Sequence, residues 1–354
     1  QAIISYLQDV AKFKLKGTEP IKYLLGCDYW RDEDGILCSA PKQYIEKMDE
    51  TYVRLFGERP TPRKSPMDAN AHPELDTSEF CNYEETKIYQ SLIGAIQWAT
   101  SLGRFDVSVH VMTLGSFRVQ PRKGHLEAVK RIYGYFSKMT EGTIRYRTEM
   151  PDLSDMKFEE YDWSRTVYAG STEEYPPNLP SARGKPVQLL TYKDANLYHD
   201  MLSGKAVTAL LHMLNQTPID WFSKKQATVE TATFGSENVA ARTAIEQMKT
   251  LKYTLLYLGV PIMDRSILIG DNKTVVDSTT QPHSRLARRH LMLSYHYVKE
   301  AIATGKYAFV WLDGKDNPSD VLSKHWAFGS VWPVLQPLLF WHGNTRDCPP
   351  RQKE

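Results

Sequence analysis

Three apolar strands read in succession over 187–194, 205–214 and 217–223, and after them the pattern turns to helix, strand, helix, strand, helix. The helices are expected at 228–247, 249–258, 272–279, 286–303 and 318–325, and the two later strands at 265–270 and 307–313. Such an order buries its apolar faces as a mixed sheet with helices packed on it. Four carboxylates stand where that sheet would gather them. Asp194 closes the first strand, Glu237 lies near the start of a helix, Asp271 ends the strand that begins at Ser266, and Asp320 opens the last helix. Taken singly, each fits a helix cap or a surface charge. Taken together they would repel one another unless cations entered, and hard oxygen ligands suit Mg2+, with Mn2+ as a substitute. Two such ions about 4 Å apart are the usual machinery for in-line displacement at a phosphodiester.

The upstream half reads differently. Residues 21–38 form a hairpin, with one strand over 21–30, a polar turn over 31–35 and a second strand over 36–38. A helix follows, with Pro41 in its first turn, Tyr44, Ile45, Met48, Tyr52 and Leu55 on one face, and Gly57 as its stop. Helices are expected again at 86–101, 104–117 and 122–139, between two Pro-rich, acidic, aperiodic stretches at 58–82 and 148–186 that read as linkers or extended arms. The third of these helices carries Lys130 and Arg131 among other basic residues, and the strand-like 144–147 adds two arginines. Basic residues interleaved with aromatics suit a nucleic-acid backbone, and they equally describe a solvated helix face.

Over 354 residues, 44 Lys and Arg against 42 Asp and Glu leave a formal charge of +2, so any basic surface must be local. Cys27, Cys38, Cys81 and Cys348 have neither zinc-site spacing nor the density of a disulfide framework, which points to a reduced intracellular protein. No apolar run approaches the roughly 20 residues that span a bilayer. The chain starts at Gln1 inside a periodic stretch, and it is expected to be a piece of a longer one.

Several motifs occur in order: 192–200 (YKDANLYHD), 221–229 (WFSKKQATV), 235–241 (GSENVAA), 270–273 (GDNK), 283–285 (HSR) and 316–324 (DNPSDVLSK). Together they resemble the ribonuclease H domain that ends the Ty1/copia class of retrotransposon polyprotein. The segments 89–95, 104–106 and 125–131 resemble the part joining polymerase to nuclease, and 21–56 looks like the end of a reverse transcriptase palm and its thumb. The resemblance runs over roughly residues 10–342. It implies a palm and thumb piece over 1–57, a linker over 58–85, a helical connection over 86–147, a second linker over 148–186, a ribonuclease H-like domain with a mixed five-stranded sheet over 187–327, and a tail over 328–354.

It also implies roles. Asp194, Glu237, Asp271 and Asp320 match the family's catalytic carboxylates, which hold two Mg2+ ions and cleave the RNA strand of an RNA–DNA hybrid. Lys224, Lys225, Gln226 and Thr228 precede the first helix and suit phosphates there. The loop over 234–237, with Ser236, suits contacts to 2′-hydroxyls because glycine lets backbone approach closely. Asn272 beside Asp271, and Arg285, Arg288 and Arg289 in a strongly basic stretch, complete the expected nucleic-acid contacts together with Lys130 and Arg131. His290 and His296 lie six apart and do not share a helix face, which argues against zinc. Partners implied are the hybrid and the upstream remainder of the polyprotein, with no membrane. The place implied is intracellular, in a cytoplasmic virus-like particle and the nucleus.

The chain departs from the family in three places. The stretch 312–320 lacks the loop histidine found before the last catalytic aspartate in many cellular ribonucleases H, which predicts slower turnover. Asn196 stands where the copia form has a second aspartate, so Asp194 alone is expected to serve metal from that strand. No Tyr-x-Asp-Asp polymerase signature occurs, so DNA synthesis is not expected of this chain. Two competing readings are a silent element that only binds nucleic acid or a partner protein, and an integrase. The integrase would leave the Asp320 motif unexplained.

Overall fold

The computed structural model describes residues 5–14, 20–286 and 288–341. Residues 1–4, Cys348 and the end of the 328–354 segment lie outside them. The first sheet is formed by β1 (Tyr23–Leu24), β2 (Cys27–Arg31), β3 (Leu37–Ala40) and β4 (Ile144–Arg145), antiparallel in that order. The strand expected over 21–30 is interrupted by Leu25 and Gly26, with φ of 52° and 99°, so that Leu24 pairs with Cys27 and Tyr23 with Asp28. Two successive left-handed residues make a tight turn whose twist suits a hairpin. A leucine in the first of them conceals the turn in the sequence, because only glycine and asparagine adopt that conformation cheaply.

Helix α1 (Lys42–Phe56) buries Ile45, Met48 and Tyr52, while Leu55 is 37% exposed and does not join that face. It packs with α2 (Tyr83–Ser101) and α4 (Lys123–Lys138), and α3 (Ser108–Gly115) packs on both of those. Helix α2 starts at Tyr83 rather than 86 because Asn82 Oδ1 accepts from the Glu85 N–H at 3.0 Å while Glu85 Oε2 accepts from the Asn82 N–H at 2.9 Å. This reciprocal cap satisfies two amides that the helix start would otherwise leave open. Residues 58–82 carry a single 3₁₀ turn at Pro73–Leu75 among the regular elements and lie along α4. Their contact is close: Arg63 N–H donates to Gly134 O at 2.9 Å, and a Cβ on Gly134 would sit 2.0 Å from Thr61 O.

The second sheet is formed by β5 (Leu189–Asn196), β6 (Val207–Leu214), β7 (Thr217–Lys225), β8 (Ser266–Gly270) and β9 (Tyr307–Trp311). Its order is β7-β6-β5-β8-β9, antiparallel across β7, β6 and β5 and parallel across β5, β8 and β9. Between and after the strands run α5 (Thr233–Tyr257), α6 (Lys273–Thr280), α7 (Met292–Ala303), α8 (Asp320–Ser323) and α9 (Phe328–Leu339). Strand alternation sends Leu189, Leu210 and Leu268 to one face, where Ala241, Ile245, Met248 and Val298 cover them. Leu190, Leu211 and Ile269 point the other way, into a core continuous with Tyr89, Phe105 and Ile132 of the upstream helices. The helical connection thus forms the second covering layer of the sheet.

Three elements differ from expectation. Helices expected at 228–247 and 249–258 are the single helix α5. Lys252 obscures its apolar stripe, since this buried ammonium faces inward to Glu173 Oε2 at 2.7 Å. Glu173 also accepts from the hydroxyls of Tyr253 and Tyr307, so it fixes the irregular stretch 148–186 against α5 and β9. Finally, the expected tail contains α9. Its Pro333 and Pro337 each forfeit a backbone hydrogen bond, and burial of Val331, Trp332, Leu335 and Leu339 outweighs that cost.

Candidate metal centre and nucleic-acid interface

Parallel pairing of β5 with β8 sets Lys193 opposite Gly270, so Asp194 and Asp271 follow side by side at the same end of the sheet. Glu237 arrives from α5 on the other face. One oxygen from each of Asp194, Glu237 and Asp271 lies within 4.8 Å of the others. The expected loop over 234–237 is instead the first turns of α5, which points Glu237 back over the strand ends. Asp320 begins α8 and joins the group through Lys324, whose Nζ lies 2.8 Å from Asp320 Oδ1 and 3.3 Å from Asp194 Oδ2. Ser323 Oγ donates to Asp194 Oδ2, and Asn317 Nδ2 donates to Lys193 O at 3.0 Å. These bonds hold the α8 segment on the end of β5.

Crowding divides the carboxyls into two states. Burial pushes Glu237 up to about 7, with Lys193 opposing and the Asp194 charge adding to the rise. Burial and then the Asp194 charge also raise Asp320 to about 7, and Asp271 upward. Asp194 goes the other way: burial works against its charge, but Lys324, the Ser323 hydroxyl and the Asp320 carboxyl outweigh it and hold it below the ordinary value. The cluster therefore keeps Asp194 as a fixed anion beside Glu237 and Asp320, whose protons are lost only around neutrality. Asp271 Oδ1 is enclosed and has no hydrogen-bond partner, which is the condition of an oxygen awaiting a cation.

The retrovirus-related Pol polyprotein from transposon RE1 of Arabidopsis thaliana is 22% identical over 315 residues, spanning 88% of this chain and 18% of that protein. The corresponding protein from transposon TNT 1-94 of Nicotiana tabacum is 24% identical over 324 residues, 89% of this chain and 21% of its own length. The putative transposon Ty5-1 protein of Saccharomyces cerevisiae is 24% identical over 185 residues, 52% of this chain and 54% of that one. Over most of its length the chain is thus similar to retrovirus-related Pol polyproteins of copia-type transposons. It spans about a fifth of the length of the two plant polyproteins. No protein-family model matches it. Among solved structures, the N-terminal RNase H domain of a Mycobacterium tuberculosis protein aligns at 12% identity and a TM-score of 0.31, covering 43% of this chain and 98% of that one. LC11-RNase H1 in complex with RNA/DNA hybrid aligns at 14% identity and a TM-score of 0.32, covering 38% and 94%. The β7-β6-β5-β8-β9 order, with helices on both faces, gives this Pol relative a ribonuclease H-like fold.

The residues expected to touch nucleic acid fall into distinct groups. Lys224 is exposed at the end of β7, and Arg285 and Arg289 are exposed beyond α6. Arg288 is half-buried, with Nη1 enclosed and unpaired. Lys225 is engaged by Asp200 at 2.6 Å, and exposed Thr228 donates to Glu230 at 3.1 Å. Gln226 is buried and donates to Thr208 and Ser236 O, while the Ser236 hydroxyl turns back to Thr233 O. Asn272 caps α6 by accepting from the Val275 N–H at 3.1 Å. Lys130 pairs with Glu127 at 2.7 Å and Arg131 with Asp68 at 2.7 Å, on the surface of the helical layer and away from the carboxylates.

The sequence reading passed over Lys193 and Lys324. Both left a signal: Lys324 follows Asp320 by one helical turn, and Lys193 is a charge inside an apolar strand that demands a buried partner.

Proposed function

We propose that this chain is the ribonuclease H segment of a copia-type Pol polyprotein and hydrolyses the RNA strand of RNA–DNA hybrids with Mg2+. The convergence of Asp194, Glu237 and Asp271 oxygens within 4.8 Å carries the reading, because the cluster's carboxylates outnumber its two lysines and the enclosed Asp271 Oδ1 is left without any partner, which a bound cation would supply. These three residues would hold the metal, with Asp320 beside them. A divalent ion there supplies positive charge to the phosphodiester and lowers the pKa of a bound water.

The chain's own groups prepare that chemistry. Asp194 stays ionised to receive the ion, while Glu237 and Asp320 release their protons as it arrives. Exposed Lys224, Arg285 and Arg289 would hold the phosphate backbone, and Ser236 and Gln226 would set the start of α5 rather than touch the ligand.

Purified chain incubated with end-labelled hybrid and Mg2+ should cut the RNA strand, leaving 5′-phosphate and 3′-hydroxyl ends, and Asp271→Asn should abolish the cut. Hybrid binding without cleavage by the parent would overturn this reading in favour of a silent, nucleic-acid-binding relative.

A further inference from the structure

A cluster of histidines lies where the upstream helical layer meets the five-stranded sheet. His110 on α3, His199 just beyond β5 and His325 just beyond α8 come together, with ring centres 5.0 Å apart for His110 and His325 and 4.9 Å for His199 and His325. A neutral imidazole carries one donor and one acceptor, yet both ring nitrogens of His110 and both of His325 are enclosed and make no hydrogen bond. Four such atoms side by side are costly to bury unless something binds them. His199 is held from both sides, with Nδ1 3.0 Å from Asn196 Nδ2 and Nε2 2.9 Å from Thr113 Oγ1. A fourth imidazole, His72, borders the group from the 58–82 arm. Its Nδ1 pairs with Glu74 Oε1 at 3.0 Å, which leaves Nε2 as its ligand atom. Burial lowers both His199 and His325, and the charge of His72 adds to each.

We propose that His110, His199 and His325 form a binding site for one Zn2+ ion, with His72 as the fourth ligand, separate from the carboxylate centre. The inference stands whether or not the chain is a ribonuclease. Zinc takes nitrogen ligands tetrahedrally at about 2.0–2.1 Å, so the centres of two imidazoles on one ion fall about 5 Å apart, which is the spacing of both ring pairs. Their nitrogens converge less closely than the oxygens of Asp194, Glu237 and Asp271, so the rings must turn to share an ion. For His110 and His325 that turn breaks no hydrogen bond. His199 exchanges Thr113 for the ion, and the Asn196 amide turns over to accept from its Nδ1–H, giving up a 3.3 Å contact to Ser323 O. Burial keeps all three rings neutral at physiological pH, as a ligand must be. An all-nitrogen set suits zinc and rejects Mg2+, which keeps to carboxylates. The site has a use in the fold. His199 follows Asp194 by five residues and His325 follows Asp320 by five, while His110 belongs to the upstream layer. One ion would brace the two segments that carry Asp194 and Asp320 against α3 and the arm.

The intact chain, loaded with ZnCl2 and dialysed in excess Mg2+ without chelator, tests this by metal analysis. The parent should keep one zinc per chain, and zinc-edge X-ray absorption should show a first shell of imidazole nitrogen. Co2+ in its place should give the strong visible bands of a tetrahedral site. His325→Gln and His110→Gln, each checked for native circular dichroism, should weaken zinc binding by at least about a hundredfold. Asp271→Asn should keep the ion, because it alters only the carboxylate centre. A folded parent that retains no zinc, a first shell of oxygen, or zinc held unchanged by a folded His325→Gln protein would overturn the proposal. The absorption spectrum is read on the parent alone, so it decides the matter even if neither histidine variant folds. Cleavage of hybrid without bound zinc sinks this inference and keeps the nuclease, and zinc without cleavage does the reverse.

Discussion

Arg104 donates from Nε and Nη2 to the two carboxylate oxygens of Asp106 at 3.0 and 2.8 Å, and neither side chain has any exposure. Tyr135 adds its hydroxyl to Asp106 Oδ2 at 2.7 Å, and the guanidinium lies 4.6 Å from the Phe136 ring centre. The pair ties the start of α3 to α4 under the layer that covers the five-stranded sheet. Asp106→Asn strands a buried cation and should cost about 3–5 kcal/mol in urea unfolding. Replacing both partners with apolar residues should cost less than the single change, and a loss under about 1 kcal/mol in Asp106→Asn would show that the pair does not anchor the layer.

His110 on α3, His199 after β5 and His325 after α8 bring their rings together, with centroids 5.0 Å apart for His110 and His325 and 4.9 Å for His199 and His325. Burial lowers all three, taking His199 to about 4 with the Lys225 charge adding to it, His325 to about 3 with the His199 ring adding to it, and His110 well below its ordinary value with His325 and His199 adding to it. The unfolded chain takes up these protons from about pH 6.5 downward, and the folded chain does not. Their contribution to stability is therefore present above pH 6.5 and is lost as pH falls toward 4. Thermal melts from pH 7 to pH 5 should show the parent losing stability more steeply than His325→Phe. Parallel curves would refute the assignment.

Glu237 predicts the opposite slope. Its carboxyl is raised from the ordinary value to about 7, so the folded metal-free chain binds the proton more tightly than the unfolded one. The contribution is present below about pH 4.5 and is lost as pH rises through about 7, on the order of 3 kcal/mol. Glu237→Gln should flatten the melting temperature between pH 5.5 and 8 relative to the parent, and Mg2+ should restore the parent most at the alkaline end. A melting temperature indifferent to Mg2+ at pH 8 would contradict the metal centre.

Much of the nuclease sheet is legible in the chain because its signals are local. Nearly continuous burial, on a sheet covered on both faces, marks 189–196 and 207–214 as apolar runs of strand length, and the position of Asp194 and Asp271 at strand ends follows from where such runs stop. The two helices expected over 228–247 and 249–258 are one, and the inward-facing Lys252 within it makes sense only beside Glu173, far away in sequence. Helix α9 was read as tail because two prolines speak against a helix, while the burial that overrides them comes from the upstream layer. The basic helix carrying Lys130 and Arg131 fits a nucleic-acid surface and a solvated face alike from the sequence, and its ion pairs with Glu127 and Asp68 are visible only in the structure.

The amino-acid sequence by itself determined the order of elements, the strand ends and helix starts that carry Asp194, Glu237, Asp271 and Asp320, and the likeness to copia-type polyproteins. Periodicity and turn chemistry act over a few residues and can be read there. Only the tertiary structure decided the charge state of the centre: which carboxyl stays ionised, that Lys193 is locked onto Glu237, and that Lys324 bridges Asp194 and Asp320. Those facts depend on burial and on distances of a few ångströms between residues remote in the chain, where electrostatic energy is set by the surroundings and not by spacing in sequence.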